Sequence, residues 1–261
     1  MRLLNTTTLK LHEFFGINVP PYANLSHRWT NWEVTFQDLN NGNTAKSSGW
    51  AKIAGVAQRL ISAELSEAIN SMFRWYQASQ ICYTYLFDVT AEGNTKDQEH
   101  LESELRQSKW FTRGWTLQEL LAPDSVIFFN RDWVEIGTKS SLRDLISSIT
   151  WIEDLFGIES ASIAQRMSWA SSGETLRPED MAYCLLGLFG VNIPLLHGEG
   201  DKAFLRLQIE IMRVSDDESI FAWTDATIPN FTSGLLARSP AAFRDSGDVE
   251  LLPNDKATPY S

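Results

Sequence analysis

Apolar residues change their spacing near the middle of this chain. In the first half, short apolar runs alternate with amphipathic stretches. Leu3-Leu4 opens a short strand that ends before Lys10, residues 23–26 form a second strand, and residues 48–60 read as helical. The clearest helix covers residues 62–77: Ser62 stands at the capping position, Glu64 in the first turn, and Leu65, Ile69, Met72, Phe73 and Tyr76 share one apolar face. Residues 81–89 then predict a buried strand, residues 90–100 an acidic polar loop, residues 110–121 a helix, and residues 125–129 another buried strand. Pro123 stops the helix because it disfavours helical geometry at Ala122. This order is the βαβ pattern of a parallel sheet. Beyond residue 140 only helical signals remain, at residues 141–148, 162–170, 178–189 and 201–214, with Pro178 in a first turn and Glu179-Asp180 at the favourable end of a helix dipole. The expected fold class is therefore α/β, a mostly parallel sheet flanked by helices, followed by a mainly α-helical region. A domain over residues 1–145, a helical region over 146–225 and a tail over 226–261 follow from the same pattern.

Composition bounds the chemistry. With 261 residues, 43% of them hydrophobic and 10 of them Trp, the chain has ample material for a core. Its 22 basic and 33 acidic residues give a formal charge of −11, which opposes binding to nucleic acid phosphates or anionic membranes. The amino terminus breaks into threonines before a signal-length apolar core forms, and no stretch approaches the roughly 20 apolar residues of a membrane span. A cytoplasmic protein is expected, with neither nucleic acid nor membrane as partner. Cys82 and Cys184 sit in apolar runs as small buried side chains, and His12, His27, His100 and His197 are too scattered for a metal site.

Two clusters carry candidate chemistry. The run Trp110-Phe111-Thr112-Arg113-Gly114-Trp115-Thr116-Leu117-Gln118-Glu119-Leu120 sets two tryptophans, Trp110 and Trp115, beside the polar groups of Arg113, Thr116 and Gln118 or Glu119 on one short segment. Those groups cannot all enter an apolar core without leaving polar atoms unpaired, so part of this face should border a cleft. The simpler alternative is an amphipathic helix with Trp110, Trp115 and Leu120 inside and Arg113 paired with Glu119 on the surface. The second cluster, Ser26, His27, Arg28 and Trp29, falls at the carboxyl end of the strand at 23–26, where open α/β sheets place ligand-binding groups. Asp88, near the end of the next strand, is a secondary candidate that could equally cap a turn. Glu64 and Glu67 read as a solvated face, and residues 198–202 as a turn before a helix rather than a phosphate loop.

Tyr22-x-x-Leu25-Ser26-His27-Arg28-Trp29 and Trp110-x-x-Arg113-Gly114-Trp115-Thr116-Leu117-Gln118-Glu119-Leu120-Leu121-Ala122-Pro123 resemble the first and last signatures of the fungal heterokaryon incompatibility (HET) domain. Residues 162–170, 177–187 and 198–204 resemble the segment that often follows that domain. The resemblance implies a protein of fungal non-self recognition and programmed cell death, with a TIR-like, flavodoxin-like sheet. In TIR domains a similarly placed glutamate serves NAD cleavage. Glu119 is then the implied catalytic residue and NAD the implied substrate, with no further cofactor and no metal. Ser26, His27, Arg28, Trp29, Arg113, Trp115 and Gln118 are implied as substrate-binding residues. Self-association, or contact with other incompatibility or NLR-like proteins, is the implied partnership; a non-enzymatic signalling module is the alternative. One departure stands out: Gln58-Arg59-Leu60-Ile61 joins two helices directly where HET domains carry a Trp-Ile-Asp strand. A central strand is expected to be missing, as in an inactive divergent paralogue or an imperfect gene model, and the sheet must close up around the gap.

Overall fold

The computed structural model of the chain describes residues 2–5, 11–14, 19–28, 68–90, 98–196, 198–224 and 234–251. Within them, the three expected central strands form. β3 (Ala23–His27), β4 (Ile81–Tyr85) and β5 (Val126–Phe129) lie side by side and parallel, with Ser26 opposite Thr84 and Thr84 opposite Phe128. β3 pairs directly with β4, so the sheet is closed between them. β6 (Glu135–Thr138) adds an antiparallel edge to β5, and β1 (Arg2–Leu4) with β2 (Leu11–Glu13) makes a separate antiparallel pair.

Seven α-helices accompany these strands among the described residues: α1 (Ala68–Gln77), α2 (Gln98–Gln107), α3 (Thr116–Leu121), α4 (Arg143–Thr150), α5 (Ile163–Trp169), α6 (Asp180–Tyr183) and α7 (Lys202–Val214). The result is a mixed α/β molecule with a four-stranded, mostly parallel sheet. Alternation along the strands sorts the residues by face. Asn24, Ser26, Cys82, Thr84, Val126 and Phe128 are buried, whereas Leu25, Tyr83, Tyr85 and Ile127 on the other face are half-buried.

Several expected elements are shorter than their sequence patterns suggest. The expected helix at 110–121 is helical only from Thr116. The preceding backbone is instead committed to a bridge with residue 174: Gly114 donates to the Glu174 carbonyl (3.0 Å), and Glu174 donates to that of Thr112 (2.7 Å). Gly114 eases this approach, because a Cβ would stand 2.9 Å from Thr175 Cγ2 and 3.1 Å from Cys184 Sγ and a neighbouring side chain would have to shift. The strand expected over 81–89 ends at Tyr85, and of the helix expected over 178–189 only Asp180–Tyr183 is regular before the chain enters turns. Residues 98–107, partly assigned to a loop, form α2, which buries only Leu101 and Leu105. The expected helix at 48–60 and the start of the one at 62–77 lie outside the described residues.

Past α3 the chain is held by a buried lysine. Lys139 donates through Nζ to the carbonyls of Leu121 (3.4 Å) and Pro123 (3.0 Å), and so satisfies acceptors that the helix end leaves open. The same ammonium lies 4.6 Å from the centre of the Phe156 ring, and burial lowers its pKa to about 8. α5 begins with a capping box: the Ser162 hydroxyl accepts from the Gln165 amide at 3.0 Å, and the Gln165 side chain accepts from the Ser162 amide at 2.9 Å.

One continuous apolar cluster joins Cys82, Leu86, Trp110 and Phe128 of the strand-rich half to Ile163, Met167, Leu185, Leu207 and Phe243 of the helical half, across the expected boundary near residue 145. Gly187 marks how closely the halves approach, since a Cβ there would lie 2.1 Å from Phe73 Cβ and 2.7 Å from Gln118 Oε1. Among the described residues, no helix is long and apolar enough to cross a membrane.

Candidate functional site

Parallel strands β3 and β4 point Ser26 and Thr84 toward the same buried side of the sheet, and the segment from Trp110 through α3 covers that side. The two sequence clusters meet there. The Ser26 hydroxyl donates to a carboxylate oxygen of Glu119 in a short hydrogen bond, although the residues are 93 positions apart. The same hydroxyl accepts from the Trp110 indole at 2.8 Å. Ser26 is fully buried, Glu119 is 7% exposed and Trp110 is 2% exposed, so the group is almost dry.

Burial is the main influence on Glu119 and pushes its carboxyl up to about 7, against the opposing pull of the Ser26 hydrogen bond and the Arg113 charge. Tyr76, at the end of α1, faces the same carboxyl. Burial, and then the Glu119 charge, hold its phenol well above the ordinary tyrosine range, and its hydroxyl lies 3.5 Å from the Leu25 carbonyl. Cys82 lies on the floor beside them; burial and the Glu119 charge push its thiol up as well, which leaves it an inert packing group. A buried carboxyl that titrates near neutrality can either move a proton or stabilise a developing cation.

The remaining candidates divide. Arg113 is half-buried and its charge acts on both Glu119 and Asp180. Trp115 is half-buried beside Asp180, whose own pKa is raised chiefly by burial and held back by Trp115 and by the charges of Arg177 and Arg113. Gln118 is fully buried but turns away: its amide nitrogen donates to the Cys184 carbonyl at 2.5 Å, so it fastens α3 to the helical half. His27 falls on the opposite face of β3 from Ser26 by strand alternation, half-buried, with Nδ1 at 3.2 Å from the Arg28 carbonyl. Arg28 is half-buried just past the strand end. Trp29, Glu64 and Glu67 lie outside the described residues. Asp88 serves as a turn cap, accepting from the Ser108 hydroxyl and the Lys109 amide, both at 2.8 Å.

Sequence reasoning missed three contributors: Tyr76, assigned to an apolar helix face; Trp110, assigned to the core; and Asp180, assigned to a helix dipole. Only Trp110 carried a usable signal, because a buried indole N–H needs an acceptor. Both cysteines are buried and free, and no cluster of His, Cys, Asp or Glu suited to a metal ion occurs among the described residues. An open groove of about 1120 Å³, lined by Trp151, Trp169 and the carboxylates of Glu153, Asp154 and Asp245, shares no lining residue with the Glu119 cluster.

Fold and site together define a mixed α/β protein whose mostly parallel sheet carries a buried acid, hydrogen-bonded to the carboxyl-terminal part of a strand. Compared with known proteins, the chain is similar to the vegetative incompatibility protein HET-E-1 of Podospora anserina, with 42% identity over 219 residues that take in 74% of this chain and 16% of that protein. The chain is thus related to a heterokaryon incompatibility protein and spans about a sixth of its length. No family model and no solved structure matches the chain.

Proposed function

We propose that this chain acts in fungal non-self recognition as a TIR-like HET domain that cleaves NAD, with Glu119 as the catalytic carboxylate. The observation that carries the reading is the buried pair of Glu119 and Ser26: it unites the two signatures at one point and leaves an acid that is half ionised near neutrality. Cleavage of the N-glycosidic bond sends the bonding pair to departing nicotinamide and leaves an oxocarbenium-like ribosyl cation, which water captures with loss of a proton. A carboxylate shielded from water stabilises that cation more strongly than an exposed one. Arg113 is suited to a phosphate oxygen, and Trp115 offers an aromatic face beside it. The similarity to an incompatibility protein supports the biological setting.

Incubation of the purified protein with NAD, alone and under crowding, tests the chemistry through nicotinamide release. The parent should release nicotinamide, and Glu119→Gln should slow it roughly 100- to 1000-fold, the usual consequence of losing one preorganised electrostatic group. A parent that releases none under either condition would remove the enzymatic reading and favour a module that signals by self-association.

A further inference from the structure

The Glu119 carboxyl is one end of a chain of hydrogen bonds whose other end is anchored in the core. The Trp110 ring packs edge-on against Phe111 and Phe128, with centroids 5.0 and 5.8 Å away, and only its N–H is polar. An indole nitrogen donates and never accepts. The indole therefore occupies one of the two lone pairs of the Ser26 oxygen, and the hydroxyl's one proton goes to Glu119. We propose that Trp110 is a positioning residue for Glu119, acting through Ser26: the donor-only indole takes one lone pair of the Ser26 oxygen and turns the hydroxyl proton toward the carboxylate.

This inference rests on the reading of Glu119 as the working carboxylate and adds what holds that group ready. A donor that is itself receiving a hydrogen bond is polarised and binds an anion more strongly. The relay thus favours the charged form of an acid that burial would otherwise keep neutral, and it ties one carboxylate oxygen to the sheet. Among the described residues, the other groups facing Glu119 are Tyr76 from α1, Cys82 from β4 and Arg113 ahead of α3. Only Arg113 assists ionisation, and it acts through space without setting orientation.

The test is an NMR titration that needs no substrate. In the parent, the indole N–H resonance of Trp110, assigned with Trp110→Phe, should move with pH at the same midpoint as the Glu119 side-chain carbon. That movement should vanish in Glu119→Gln. Ser26→Ala should raise the carboxyl midpoint by about one unit, the equivalent of one hydrogen bond to a charged group. Trp110→Phe should raise it in the same direction by less, and the double variant should match Ser26→Ala alone. An indole resonance that stays flat while Glu119 titrates would overturn the relay, and so would a carboxyl midpoint unchanged in folded Trp110→Phe. If Trp110→Phe fails to fold, the parent titration decides alone, with the indole signal assigned by selective labelling. A relay present in a parent that releases no nicotinamide would sink the NAD reading and leave this one standing.

Discussion

Glu119 costs the folded state something whenever it is charged, and that cost has a sign that can be measured. Its carboxyl rises from an ordinary 4.5 to about 7 on folding, so between those values the folded state binds more protons than the unfolded one. The stability conferred by its protonated form is complete below pH 4.5 and is lost as the pH climbs through 7. Urea midpoints of parent and Glu119→Gln, compared at pH 5 and pH 8, should therefore diverge: the parent loses stability over that interval through this group, and the variant lacks that component. Equal slopes would show that the carboxyl is not perturbed. The same comparison separates roles, because a purely structural Glu119 would make the Gln variant markedly less stable at both pH values, whereas a site residue held at a cost would not. At this scale the sequence disclosed Ser26, Arg113 and Glu119 because their polar character is out of place in an apolar frame. Tyr76 and Asp180 stayed hidden because their relation to the site exists only through contacts between distant segments.

Among the elements, those with a local cause were the legible ones. β5 is a run of apolar residues bounded by turn signals, and α5 starts where Ser162 and Gln165 stand three apart. Ser162→Ala should cost about 1 kcal/mol in chemical denaturation, the usual worth of such a cap, and the loss should appear first in the amide exchange of Ile163, Ala164 and Gln165. A variant as stable as the parent would mean that the contacts of Ile163 and Ala164 with Asp217 and Ser219 hold the helix start unaided. Elements with a remote cause were misread. Residues 110–115 have helical spacing, but their backbone is claimed by Glu174, some 60 positions on. α2 offers only Leu101 and Leu105 to the core, too few apolar positions to stand out from a charged loop.

On the scale of the molecule, the strand-rich and helical parts share one core, and the site depends on both. Gln118 is fastened to Cys184 and Gly114 to Glu174, so the segment bearing Glu119 is framed on one side by residues from beyond position 170. A fragment ending at residue 150 should expose the apolar face of α3 and fail to give a cooperative thermal transition, whereas the full chain should melt in one step by circular dichroism. A cooperative fragment with native-like tryptophan fluorescence would show that the halves fold independently. The change of hydrophobic period near residue 140 was readable; that it does not divide the core was not, because periodicity reports which face of an element is apolar and not what covers it.

Position 187 has a consequence for heredity. Glycine is the one amino acid without a Cβ, so every missense change in its codon sets an atom against Phe73 and Gln118, on the α1 and α3 helices that bring Tyr76 and Glu119 together. Alleles altered there should be destabilised, with a lower thermal midpoint than the parent, while spelling out both signatures intact. A survey of natural variants that scored only Ser26 and Glu119 would count such misfolding copies as sound.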